Sequence, residues 1–339
     1  MSHRRRLSVP LSALVAALLV AAGLSGCSSG SGAPAQRSGS SHRTVVDAKG
    51  RTVSVPAHPQ RVLALSEPTL DAAVTLGVHV VGATSGRGQG GLSAYLASKA
   101  KGVPIVASVA GPNFELITTK RPDLILVDGT VTMDDQSIQK LSQIAPTAFV
   151  SKTGENWQQA FRAAGRVLNR SAQAATFLTK FAGRVSAVRG KLGKNADATI
   201  SIVRWGDSMP SVLLKEIAAS TVVTALGLRR PPSQNRVGKG HSQPISLENL
   251  DQLDADWMFF GTLGGATNPA GGNKGASADV VASRAALRRA AADTPGFARL
   301  RAYQLGHVVP VDGSAWMSAG GPQAELTVLQ SIADALTAS

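Results

Sequence analysis

Apolar and polar positions from residue 44 onward follow two periods in alternation, two for strands and about 3.6 for helices. Two β-branched runs within Thr44–Val55 flank the turn Asp47-Ala48-Lys49-Gly50, which predicts a hairpin. Arg61–Leu65 is a short apolar run and reads as a buried strand. Ser66 and Glu67 suit a helix start and Pro68 its first turn, so a helix is expected to Leu76, with Gly77 ending it. Val78–Val81 follows as a strand ending near Ala83. From Ser171 the apolar positions Ala174, Leu178, Phe181, Val185, Val188 and Leu192 recur at alternating spacings of 4 and 3, one stripe on a long helix that Gly193 closes. At 1.5 Å per residue that helix spans roughly 33 Å, enough to bridge two domains. The pattern then repeats. Thr199–Trp205 and Val212–Leu214 read as strands, Ser220–Leu226 as a helix stopped by Gly227, and Val308–Val311 as the last strand. Pro322–Leu336 is the last helix, with Leu326, Leu329, Ile332, Ala333 and Leu336 on one face. Gly261–Ser277 holds six Gly and is expected to be a mobile loop. Strands alternating with helices predict parallel sheets covered by helices.

An internal repeat supports two such units. Glu115 stands eight residues before Asp123 and the apolar run Leu124-Ile125-Leu126. Glu248 stands eight residues before Asp256 and Trp257-Met258-Phe259. The copies are 133 residues apart, about one domain.

The first 43 residues differ in kind. Arg4, Arg5 and Arg6 precede an apolar run from Leu11 to Leu24, too short for a membrane-spanning helix. Basic start, apolar middle and small residues before Cys27 describe an export signal. Leu24-Ser25-Gly26-Cys27 resembles a bacterial lipobox, in which the cysteine sulfur takes a diacylglycerol. A free buried cysteine or an uncleaved anchor are the alternatives. Ser28–Ser41, mostly Ser, Gly, Ala and Pro, reads as a flexible tether. The expected location is the outer face of the cytoplasmic membrane, with a lipid on Cys27. No other cysteine remains, which excludes disulfides and thiolate metal sites.

The formal charge is +14; removing residues 1–26 takes away three Arg and no acid, leaving +11. Such a charge points to an anionic ligand or surface. Nucleic acid is not expected, because an exported lipoprotein rarely meets it and the bases are dispersed. The row Arg284, Arg288, Arg289, Arg299 and Arg301 reads as a solvated helix face.

Several motifs in order carry a family resemblance across the mature chain. They are Asp47–Val53, Arg61–Ser66, Pro112-Asn113-Phe114-Glu115 leading into Arg121-Pro122-Asp123-Leu124-Ile125, Ile144-Ala145-Pro146-Thr147, Ile245-Ser246-Leu247-Glu248, and Asp312-Gly313 before Trp316. Together, behind a lipobox, they resemble the substrate-binding lipoproteins of ABC importers for ferric siderophores, haem and cobalamin. Tyr95-Leu96-Ala97, Lys101–Val106 and the stretch from Gly238 through Ser242-Gln243 are most similar to the iron-siderophore branch. The resemblance implies an α/β fold of two Rossmann-like lobes with parallel-rich central sheets, joined by one long helix, with a ligand cleft between. The expected organisation is a signal over 1–26, a lipidated tether over 27–43, an N-terminal lobe over 44–155, a connecting helical segment over 156–193 and a C-terminal lobe over 194–339. It further implies that Glu115 and Glu248, one per lobe, meet arginines of a permease dimer, and that the receptor is a monomer and not an enzyme.

Ligand residues are sought after the carboxyl ends of strands, where α/β folds bind. The candidates are Arg204 and Trp316, then Arg87 and Tyr95, then Arg236 and His241. A guanidinium suits an anionic chelate, and a tryptophan offers a flat apolar wall. No protein atom need touch the iron of a saturated ferric siderophore, and no resident cofactor or direct metal ligand is expected. Haem is the alternative cargo, with Tyr95 or His241 as axial ligand; cobalamin is a third. Gly86–Gly91 fits G-x-G-x-x-G but lacks the acid about 20 positions on, and reads as a cleft loop. The six His form no close pair, which argues against a zinc or manganese site. An extracellular hydrolase is less favoured, since no pattern selects a nucleophile with its base.

Overall fold

The computed structural model describes residues 42–337, except 109, 132, 207–208 and 264–276. The signal, Cys27, the tether and most of the glycine-rich loop lie outside the described residues.

Strands β1 (His42–Val46) and β2 (Thr52–Pro56) form the expected antiparallel hairpin, Val45 opposite Val53. Asp47 builds its turn. Its carboxylate accepts the amides of Lys49 and Arg51 at 2.9 Å each and pairs with the Arg51 guanidinium at 2.6 Å. It also accepts the amide of Phe149 at 3.3 Å, which fixes the hairpin to the first sheet.

The first sheet comes from β3 (Val62–Ala64), α1 (Glu67–Thr75), β4 (Val80–Thr84), β5 (Ile105–Ser108), β6 (Gly111–Pro112), α2 (Phe114–Thr119), β7 (Leu124–Val127), α3 (Asp135–Ile144) and β8 (Thr147–Phe149). Its order is β6-β5-β4-β3-β7-β8, parallel except for the edge strand β6. Ser66 is the N-cap of α1, accepting the Thr69 amide at 3.1 Å. Strand β4 starts two residues later than the hydrophobic run suggests, because the Val78 amide donates back to the Ala73 carbonyl of α1 at 3.2 Å.

Two helices follow, α4 (Trp157–Val167) and α5 (Ser171–Arg189). In α5, Ala174, Leu178, Phe181 and Val185 are buried, four members of the expected stripe. Trp157 meets Phe181 edge-on at 5.2 Å. The helix ends at Arg189, and Leu192 is buried in the following turn.

The second sheet comes from β9 (Ile200–Trp205), β10 (Pro210–Leu213), α6 (Ala218–Ala225), β11 (Ser242–Pro244), β12 (Trp257–Gly261), α7 (Val280–Asp293), α8 (Arg301–Gln304) and β13 (Val308–Pro310), before α9 (Gly313–Trp316) and α10 (Pro322–Leu336) close the chain. Its order is β11-β10-β9-β12-β13. Strands β9, β12 and β13 are parallel, whereas β10 and β11 are antiparallel additions.

The apolar runs resolve into alternating faces, as strands buried on both sides require. Leu63, Ile125 and Val127 turn to the outer face of the first sheet, while Val62, Ala64, Leu124 and Leu126 turn inward. In the second sheet Met258 and Phe260 turn outward, and Ile200, Ile202, Trp257 and Phe259 inward. The inward faces of both sheets belong to one continuous core, completed by α1, α4, α5, α6 and α10.

The repeated aspartates do the same task in each half. Asp123 accepts the amides of Gln60 and Arg61 at 2.6 and 3.0 Å, tying the start of β7 to that of β3. Asp256 accepts the amide and hydroxyl of Thr199 at 2.9 and 2.7 Å, tying β12 to β9.

Candidate functional site

Loops at the carboxyl ends of β4, β7 and β8 face those of the second sheet across a cleft of about 590 Å³. The first wall is Arg87, Gly129-Thr130 and residues 150–157. The second is Arg204, residues 213–218 and residues 240–242. Residues 317–322, between α9 and α10, also line it. A larger hollow of about 730 Å³ opens beyond the loop 152–155, but only residues 43–48, 149–155 and 163–171 line it, so the second wall does not reach it.

Arg87 is exposed on the loop after β4, and its guanidinium donates to the Thr130 carbonyl at 3.2 Å. Beneath it sit two acids. Asp128 is 1% exposed and accepts the Ser66 hydroxyl at 2.7 Å and the Thr130 hydroxyl at 2.6 Å. Glu67 accepts the Ser93 hydroxyl and the Arg87 amide. Burial pushes both carboxyls up, while the charge of Arg87 acts downward on each.

Arg204 stands near the end of β9, half-buried, its guanidinium donating to the Ser242 hydroxyl at 3.1 Å. Burial lowers its affinity for its proton, and repulsion from Arg87 lowers it further. The two guanidinium groups thus confront each other from opposite walls. Among the described residues neither has a carboxylate within ion-pair distance.

Lys152 and Lys215 add positive charge, one on each wall. On the rim, Glu155 accepts the Lys152 amide at 2.9 Å and Glu216 the Gly238 amide at 2.7 Å through Oε1, while Glu216 Oε2 is enclosed without a partner. His241 lines the second wall in a left-handed backbone conformation (φ 61°), with its Nδ1 enclosed and unpartnered.

Arg87, Arg204 and His241 therefore share the cleft, and three other candidates do not. The Trp316 ring is fully buried, stacked on Phe259 at 4.4 Å and 15°. Asp312 explains this correction: it caps α9, accepting the Ser314 amide at 2.9 Å, and that single turn swings the indole into the core. Tyr95 does not line the cleft either. Its hydroxyl is enclosed near Asp71 without a hydrogen-bond partner in the geometry, which removes it as a haem ligand. Arg236 is exposed outside the cleft, holding the Ser233 carbonyl at 3.1 Å and the Gln243 side chain. The one tryptophan at the cleft is Trp157, 4% exposed, its ring edge-on to Phe181 and its Nε1 donating to Thr221 of α6 at 3.2 Å. The loop Ser151–Asn156 follows a strand and is rich in turn residues, so the rule that selected Arg87 also reaches Lys152 and Glu155.

Glu115 and Glu248 are both exposed at the second position of a capped turn. Asn113 caps the first, accepting the Leu116 amide at 3.0 Å, and Ser246 the second, accepting the Glu248 amide at 3.2 Å.

Comparison with known proteins places this geometry. A sequence model described as periplasmic binding protein matches residues 92–315. The "probable siderophore-binding lipoprotein YfiY" of Bacillus subtilis is 28% identical over 328 residues, covering 95% of this chain and 96% of that protein. The crystal structure of Staphylococcus aureus SirA complexed with staphyloferrin B superposes with a TM-score of 0.69 at 23% identity, covering 87% of this chain and 98% of SirA. An FhuD-fold periplasmic binding protein component of a Fep/Fec-like ferrichrome ABC transporter from Bacillus subtilis gives 0.65 at 24% identity, covering 83% and 98%. These structures share the fold of the chain.

Proposed function

The chain belongs to the periplasmic binding protein family, and from that premise we propose that it captures a ferric siderophore in the cleft and delivers it to an ABC importer. The observation that carries this reading is the pair Arg87 and Arg204, two unpaired guanidinium groups facing across the cleft. An oxygen-rich anionic chelate between them would relieve their repulsion and accept charge-assisted hydrogen bonds from both walls. The enclosed Tyr95 hydroxyl removes one of the two axial ligands on which the haem reading rested.

In this reading Cys27 carries a lipid that keeps the receptor at the outer face of the cytoplasmic membrane, so that it meets its permease at high effective concentration. Glu115 and Glu248, on rigid lobes, then pair with one arginine cluster in each permease subunit.

The test is a titration of intrinsic tryptophan fluorescence, with Trp157 as reporter, against ferric staphyloferrin B, a ferric hydroxamate and haem. Saturable quenching by a ferric siderophore is expected. A folded protein that answers none of the siderophores sinks the reading. For docking, Glu115→Ala with Glu248→Ala should abolish uptake and leave binding unchanged; parallel loss of both defeats that role.

A further inference from the structure

Two acids lie buried beneath the cleft and play no part in the recognition just proposed. Glu325, in the first turn of α10, is fully buried, and neither carboxyl oxygen has a hydrogen-bond donor in the geometry. Asp71 of α1 is also fully buried. It caps α10 from another helix, accepting the Gln323 amide at 2.9 Å and the Ala324 amide at 3.1 Å, with the Thr75 hydroxyl at 3.2 Å.

Both carboxyl groups press on one dipeptide. A Cβ on Gly320 would stand 2.7 Å from Glu325 Oε1 and 2.2 Å from Ala218 Cβ. A Cβ on Gly321 would stand 2.4 Å from Asp71 Oδ2. Gly320 and Gly321 line the cleft, as do Trp157 of α4 and Ala218 of α6. Helices of both walls thus converge on two glycines that rest on two acids.

Among the described residues no cation forms an ion pair with either acid. The titratable group facing both is Tyr95, in the turn after β4, which in turn feels Glu67 of α1 and Asp312 of the α9 cap. Arg87 acts on Glu67 and Asp128 instead. Trp157 and Ala218 contribute no charge.

We propose that Glu325 is held as a neutral acid beside Asp71, that the pair positions the Gly320–Gly321 floor of the cleft, and that losing a proton from it loosens this floor. A second carboxylate in a dry site, without donors and beside the first, is strongly disfavoured while the floor stays closed. The direction of the buried groups agrees. Burial and the neighbouring Asp71 push Glu325 well up, and burial pushes Asp71 to about 7 against the pull of its hydrogen bonds from Gln323, Ala324 and Thr75. An acid whose folded value is raised binds its proton more tightly in the folded form. It favours folding at low pH, and that contribution is lost as pH rises from about 4 toward 7. The floor is then firm in mildly acidic surroundings and looser above neutrality. The inference concerns the floor whatever fills the cleft; only its consequence for ligand retention rests on the proposed function.

The primary readout therefore needs no ligand. Thermal unfolding of the lipid-free protein is followed from pH 5 to pH 8.5, with hydrogen exchange of residues 318–324 corrected for intrinsic rate. The wild-type midpoint should fall as pH rises, with exchange at the floor accelerating. Glu325→Gln, which mimics the neutral acid, should stay folded and flatten both profiles, and Asp71→Asn should flatten them through the other member. A Glu325→Gln profile as steep as that of the wild type overturns the proposal. If neither variant folds, the wild type decides. Its infrared spectrum at pH 6 should hold a protonated-carboxyl band that fades toward pH 8.5, and absence of that band overturns the proposal. Retention is read separately with ferric staphyloferrin B, or whichever siderophore the titration selects. One proton coupled to closure lowers affinity by up to about tenfold between pH 6 and pH 8, a loss that Glu325→Gln removes. A flat affinity beside a steep midpoint would show that the floor is not coupled to the ligand.

Discussion

The two walls of the cleft offer the same guanidinium in opposite settings. On the first wall Arg87 is exposed, tied to a carbonyl, and underlain by the enclosed acids Glu67 and Asp128. On the second Arg204 is half-buried in a strand, tied only to a hydroxyl, and repelled by its counterpart. The first cation is already partly compensated by its own wall, whereas the second is held at a cost in desolvation and has nothing to offset it. The charge available to an anionic ligand therefore sits on the second wall. The topology explains the asymmetry. Arg87 rides a loop after a parallel strand, while Arg204 lies within the antiparallel pairing of β9 with β10, where the hydroxyl of Ser242 in β11 reaches its side chain.

Trp316→Ala should have the largest effect, and on stability alone. Emptying a fully buried indole costs about 3–5 kcal/mol, seen as a lower denaturant midpoint, while affinity in the folded population is kept. Loss of affinity without loss of stability would return Trp316 to the second wall. Arg204→Ala comes next and should weaken an anionic ferric chelate by about 2–4 kcal/mol, read by titration, with little change in unfolding. Arg87→Ala should cost about 1 kcal/mol of affinity. An Arg87 effect equal to that of Arg204 would break the contrast between the walls. The smallest change is expected from Asp128→Asn, which keeps the Oδ1 acceptor for Thr130, places an amide NH2 as donor toward the Ser66 hydroxyl, and removes compensating charge. It should tighten anionic ligands by a few tenths of a kcal/mol, and a weakening would sink the compensation argument.

Hydrophobic period found most strands and the long helix, because both record burial directly. The repeated Glu and Asp also marked a real correspondence, since Asp123 and Asp256 each fasten two parallel strands at their start. Arg87 and Arg204 were legible because charged residues next to strand ends have few places to go but the cleft. Trp316 and Tyr95 were misplaced for a shared reason. Period says how much of a strand is buried but not which way a single turn points, and a cap such as Asp312 decides that. The buried pair Asp71 and Glu325 left no local mark, since each appears in the sequence as one acid on an amphipathic helix.

The residues beneath both sheets form one core, so neither lobe owns its inner surface. Unfolding should therefore run as a single transition across the two lobes rather than half by half. The same continuity resists wide hinge opening, so on the proposed function loading should change the receptor's outline little. What loading would change is the field at the cleft mouth, where the charge of Arg204 and the partly compensated charge of Arg87 would be neutralised. An importer meeting this receptor would read occupancy as cancelled charge more than as altered shape.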